Sequence, residues 1–243
     1  MEVQKLNQTN YRTGRLPAIR PAALRDLSVY GAGPLWTPPT SVAVPDALYP
    51  IDGNATYGCC TYDGVVHLKE AWHAKYKLPY IAPSENEVVN AYFLESPGNT
   101  GCVEANVLKR WHTKGLFGSE LAAYAPVPRT DLLGIHQSIA FYDGAYLGIL
   151  CGTPQQEQFE HNEPWKYTGS AEENDGHCVV ALGYNENGEL EVATWGGIAT
   201  LTPGFLAHKL EEAWCLISQI LVERKSDSLG IDITALQKDL TLV

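Results

Sequence analysis

Along the first half of the chain, apolar residues recur at spacings of three and four. Along the second half they form short unbroken or alternating runs. After a loop rich in Gly, Asn and Thr, residues Val65, Val66, Leu68, Ala71 and Trp72 mark an amphipathic helix over about 59–76. Ser84 to Glu87 has the form of a capping box, and Val88, Val89, Ala91, Tyr92 and Leu94 continue it as a second helix. A third runs from Cys102 to His112 and closes at Gly115. Leu121–Val127 is a strand candidate, and Thr130-Asp131 caps a helix with Leu132, Leu133, Ile135, Ile139 and Phe141. Asp143-Gly144 then turns the chain into a buried strand, Ala145–Cys151. Residues 152–176 are mostly polar and rich in Gln, Glu and Asn, and predict a long solvated loop. Beyond it, His177–Tyr184 and Glu189–Trp195 flank the hairpin signal Asn185–Gly188. A helix opening at Thr202-Pro203 and running to Glu212, a strand over 214–222 and a tail helix over 232–240 complete the pattern. Helices first and strands second predict an α+β fold of two lobes.

Residues 1–50 break from this pattern. They hold seven of the fifteen prolines, and the first thirty residues carry five basic against two acidic side chains in a chain of net charge −11. Proline fixes φ and removes donors, so an extended arm is expected, lying on its own domain or on a neighbour in an assembly. The organisation read from sequence is therefore an arm (1–50), a folded domain (51–222) and a tail with a short helix (223–243). The acidic balance argues against a nucleic-acid binder. No run of about 18 apolar residues predicts a membrane span. The polar N-terminus lacks an export signal's apolar stretch, so a cytoplasmic location is expected. Six cysteines without a C-x-x-C pair point to reduced thiols. The seven histidines show no metal-ligand spacing, so no metal or cofactor is expected.

Cys59 and Cys60 stand where the loop becomes the first turn of a helix. Unpaired N–H groups and the positive end of the helix dipole favour a thiolate there. A nucleophilic thiol needs a base. His67 lies two turns along the same helix, about 10 Å away, which suits a surface or core-edge residue better than a partner. His177 opens a strand directly after Asp175-Gly176, where a side chain can face a cleft.

These motifs resemble the papain-like (C1-type) cysteine peptidases. In that family the nucleophile stands in Gln-x-x-x-Gly-x-Cys at a helix start, the base histidine opens a strand, and an Asn-Ser-Trp-Gly segment orients it. Here the first appears as Asn54 to Cys60, the second as Gly176 to Tyr184 and the third as Ala193-Thr194-Trp195-Gly196. The resemblance covers about residues 50–222, and its wording is nearest to C1-like proteins of bacteria and their phages. It implies a helical left lobe, a β-rich right lobe and a cleft between them. It also implies Cys60 as nucleophile, His177 as base and Asn54 at the oxyanion glutamine's place. Ala193 stands at the orienting position and has no polar atom. Thr194 beside it is expected to face the other side of its strand, which makes the triad degenerate, with Asn174 or Asp175 as substitutes. Trp195 is expected to shield the histidine.

Two readings follow. In the first, Cys60 and His177 carry acyl transfer at a peptide or amide bond of a peptide or protein substrate. In the second, an inactive papain-fold module serves as a structural or interaction protein, for example a phage virion component held by its arm. A homo-oligomer or multi-copy assembly fits the second.

Overall fold

A computed structural model describes residues 11–31, 36–225 and 229–243. Within the arm, residues 1–10 and 32–35 lie outside the described residues, as do 226–228 in the tail.

Six antiparallel strands form one sheet: β1 (Leu121–Val127), β2 (Ala145–Cys151), β3 (Asp175–Tyr184), β4 (Leu190–Thr194), β5 (Gly197–Leu201) and β6 (Leu210–Ser218). Their order across the sheet is β1-β6-β2-β3-β4-β5. The helices are α1 (Cys60–Tyr76), α2 (Glu85–Phe93), α3 (Glu104–Lys114), α4 (Leu132–Tyr142), α5 (Thr153–Glu160), α6 (Pro203–Lys209), α7 (Gln219–Lys225) and α8 (Ile233–Leu240). The expected capping box is present on α2, with Ser84 Oγ accepting from Glu87 N–H and Glu87 accepting from Ser84 N–H. The two-lobed α+β architecture is that anticipated from the sequence.

Several boundaries differ. α3 starts at Glu104 rather than Cys102, because Cys102 is engaged in a bridge to the arm. The polar stretch 152–176 is not a plain solvated loop. It contains α5, and Glu173 within it is buried, accepting from Gln155 Nε2 (2.6 Å) and Thr168 N–H and Oγ1 (2.9 Å each). A strand, β5, follows the Trp195-Gly196 turn and begins at Gly197. α6 ends at Lys209, so β6 starts four residues earlier than read from the sequence, and α7 takes up its expected end.

α1 is the central helix. It was expected to be amphipathic, but every residue from Cys60 to Trp72 is buried. One side packs on β3. The other carries Asp63, His67, Lys69 and Glu70, and other parts of the chain cover it: Tyr49 meets the His67 ring edge-on, and Lys69 Nζ donates to the carbonyls of Leu116 and Phe117. The helix reaches the sheet this closely through Gly64. A Cβ there would lie 2.9 Å from Tyr146 Cε2 and 3.2 Å from Val180 Cγ2.

The arm is extended in backbone yet packed. A 3-10 turn at Leu27–Tyr30 buries Leu24, Leu27 and Tyr30, the Tyr30 hydroxyl donates to Asp239 on α8 at 2.7 Å, and Arg25 pairs with the same carboxylate at 2.8 Å. Further on, Val42 and Tyr184 exchange both backbone hydrogen bonds. Among the described residues no helix is long and apolar enough to cross a membrane.

Gly64→Val should therefore push α1 off the sheet. Overpacking of this kind costs about 1–3 kcal/mol, and equilibrium urea unfolding should show it as a lowered midpoint at unchanged slope.

Candidate active site

Cys60 is the first residue of α1 and His177 the third of β3, and both are buried. The helix packs across β3, so the Cys60 thiol rests against the backbone N–H of Cys178, the residue after His177. The sulfur is neutral in this arrangement: burial, aided by Glu104 and Asp63, pushes its pKa up to about 12, against the pull of the Cys178 N–H and Arg15. Burial, with Arg15 and His67 adding to it, lowers His177 to about 3.

His177 Nε2 is 2.7 Å from Thr194 Oγ1, and its Nδ1 has no hydrogen-bond partner among the described residues. Thr194 was expected to point away, and the strand register explains why it does not. Val180 pairs with Ala193, which puts Ala193 on the Cys178/Val180 face and Thr194 on the face of His177. The orienting contact thus comes from the position next to the one anticipated. Trp195 covers the imidazole as expected, with rings stacked at 4.6 Å and 25°. Asn174 and Asp175 are exposed, and the Asn174 amide donates to Ala171 O at 2.8 Å, so neither side chain supports His177. Asn54 is buried in the loop before α1. Its Nδ2 donates to Tyr57 O at 2.9 Å and its Oδ1 has no partner among the described residues.

The cleft is filled. Residues 11–16 of the arm run through it and bond to both walls. Gly14 and Arg15 N–H both donate to Gly176 O, at 3.0 and 2.9 Å. On the opposite wall Cys102 N–H donates to Gly14 O and Leu16 N–H to Cys102 O, each at 2.9 Å. Arg12 N–H donates to Asn54 O at 2.9 Å, Trp195 Nε1 donates to Arg12 O at 3.0 Å, and Tyr11 stacks on Trp195 at 4.9 Å. Only glycine fits where the arm crosses the loop before α1. A Cβ on Gly14 would lie 2.1 Å from Gly58 O.

His67, expected at the surface or core edge, is buried, and its Nε2 lies 2.7 Å from Pro50 O. With Asp52 and Asp63 it forms a group whose ligand-type atoms lie within 4.8 Å of one another, which the residue spacing did not suggest. Burial raises the pKa of both carboxyls, and Asp52 and Asp63 are hydrogen-bonded to each other, the arrangement of a shared proton. All six cysteines are free and buried.

A central helix with a cysteine at its start, packed on an antiparallel sheet that carries the histidine, defines the papain-like cysteine protease fold. Xylellain, a cysteine protease from Xylella fastidiosa, superposes with a TM-score of 0.63 at 13% identity, over 90% of this chain and 99% of that one. Digestive procathepsin L 3 of Tenebrio molitor larval midgut gives 0.53 at 12% identity, over 86% and 77%. A recombinant stem bromelain precursor gives 0.54 at 16%, over 87% and 78%. No family model and no curated protein matches the sequence.

Protonation of His177 is opposed by the fold. It binds a proton near pH 6.5 when unfolded and near 3 when folded, so its contribution to stability is complete above 6.5 and is lost as pH falls towards 3. Asp52, raised to about 6, acts in the opposite sense, losing its contribution as pH rises from about 4 to 6. His177→Gln should flatten the acid limb by up to one proton, about 1.4 kcal/mol per pH unit, in unfolding free energy measured from pH 7 to pH 4.

Proposed function

We propose that this chain is a cysteine hydrolase of amide bonds held latent by its own N-terminal arm. The observation that carries the reading is the pairing of arm backbone with both walls of the cleft, beside a cysteine at a helix start and a histidine with an oriented ring. A segment bonded through main-chain groups occupies the cleft as a peptide substrate would, since such bonds do not depend on side chains. The structural neighbours include two whose names describe precursor forms, which is consistent with an occluding arm.

With Thr194 Oγ1 accepting from Nε2–H, the imidazole keeps its Nδ1 lone pair free. Once the arm leaves, water and substrate reach the cleft, and the burial that raises the thiol and lowers the imidazole is relieved. The Cys60 proton passes to Nδ1, and sulfur attacks the carbonyl carbon. The C–N bond then breaks as the amine takes the proton from His177, and water hydrolyses the thioester. The first N–H groups of α1 and the remaining Asn54 amide N–H supply donors for the oxyanion. Thr194 acts through His177 as a positioning residue.

The second reading, an inactive papain-fold module, takes the arm as a permanent part of the core. Alkylation by iodoacetamide from pH 6 to 9, mapped to Cys60 by mass spectrometry, separates the two. In the full chain carrying Arg15→Ala, which removes the arm's buried anchor, Cys60 should react at least about 10-fold faster than in wild type. Adding His177→Ala should reverse that gain. Equal, slow labelling with and without His177 in a folded protein leaves only the second reading.

If turnover is observed, Thr194→Val should lower kcat at least about 10-fold with KM little changed. Threonine-to-serine replacement should restore it.

A further inference from the structure

The arm places one charged side chain inside the molecule. Arg15 is 1% exposed at its side chain and faces three carboxylates. Its Nη1 donates to Glu212 at 2.8 Å and its Nη2 to Glu211, while Glu104 on α3 adds a third acidic group. Glu104 is fully buried, and among the described residues neither of its carboxylate oxygens has a hydrogen-bond partner of normal geometry, although Cys178 and Trp214 lie beside it. The floor is Gly148 on β2. A Cβ there would lie 2.6 Å from Glu212 Cγ, 2.8 Å from Arg15 Cδ and 2.9 Å from Glu104 Oε1, so the glycine makes the room that the guanidinium stem fills.

Burial works against the Arg15 charge, yet Glu104, Glu211 and Glu212 together leave its pKa raised. Emptied of Arg15, the pocket leaves Glu104 and Glu212 buried with no counter-ion. Both carboxyls are already raised by burial, and Arg15 is a main influence pulling each back down. Buried carboxylates of this kind favour a replacement cation, and a guanidinium matches paired acceptors better than an ammonium does.

We infer that Glu104, Glu211 and Glu212 around Gly148 form a selectivity pocket that takes an arginine side chain of the substrate, with Arg15 as its internal stand-in. This rests on reading the cleft as a substrate site. The pocket opens beside the backbone rail of Gly176 and Cys102, so a peptide bound on that rail presents one side chain to it. The chemical class is a peptide with a guanidinium at that one position. Lysine is accepted less well, and citrulline, the neutral isostere of arginine, is rejected.

The test uses the full chain with Arg15→Ala, and with Arg15→Gln as a second variant should the first fail to fold. Short peptides carrying Arg, Lys, Leu or citrulline, scanned through three positions, are measured in two ways. Reversible binding of the amides is read by fluorescence anisotropy, and covalent labelling of Cys60 by the matching fluoromethyl ketones. At one position Arg should bind at least 10-fold tighter than citrulline, and Glu212→Gln added to the variant should cut that ratio below 3-fold. Arginine-selective binding without labelling keeps the pocket and removes the nucleophile assignment. Labelling that is indifferent to the side chain keeps the nucleophile and overturns the pocket. Absence of binding by any peptide to folded variants also overturns it.

Discussion

The close approach of α1 to the sheet is the constraint on which the other features depend. Gly64 lets the helix lie against Tyr146 and Val180 without a side chain between them. That contact places the start of α1, and so Cys60, against the backbone of Cys178. The histidine is then supplied by sequence adjacency, because it precedes Cys178 on the same strand. Packing thus seats Cys60 on the strand that carries His177, although the two residues lie more than a hundred positions apart in the chain. His177 Nδ1 remains unpartnered among the described residues.

The arm completes the fold as well as closing the cleft. It contributes Leu24, Leu27 and Tyr30 to the core, and its end at Tyr49 and Pro50 covers the polar side of α1. This explains why α1 is buried on all sides although its sequence alternates apolar and charged positions. The charged side chains face a layer formed by other parts of the chain. Inside that layer their ionisation is set by burial, which raises Glu70 to about 8 and lowers His67 to about 4.

Much of this was legible in the sequence because local signals and tertiary packing agree. The Ser84–Glu87 capping box, the αL turn at Asp143 and the unbroken apolar run of β2 each name one structure only. The helix start at Cys60 was legible from the loop before it, and the stacking of Trp195 on His177 from the two motifs that carry them. What was not legible depends on register and on distant partners. Thr194 differs from Ala193 by one residue, and the pairing of β4 with β3 decides which of them meets His177. α5 lies in a polar segment whose helix is organised by Gln155 and the buried Glu173, groups that look solvated in a linear reading. Arg15 read as one of several basic residues in a proline-rich tail. Its carboxylates come from α3 and β6, far along the chain, so no local pattern announced the pocket.

The crossing at Gly14 has a consequence for competition. The plug is tethered to the domain it closes, so the cleft faces it at an effective concentration on the order of millimolar. A free peptide of equal affinity and micromolar abundance would leave the cleft almost wholly occupied by the arm. A rival on the same path must also carry a glycine where Gly14 lies, since a Cβ there would lie 2.1 Å from Gly58 O. Admission is thus governed by the integrity of the tether more than by the strength of the incoming ligand. Cutting the chain between the plug and the 3-10 turn would change occupancy by orders of magnitude without altering a single contact in the cleft.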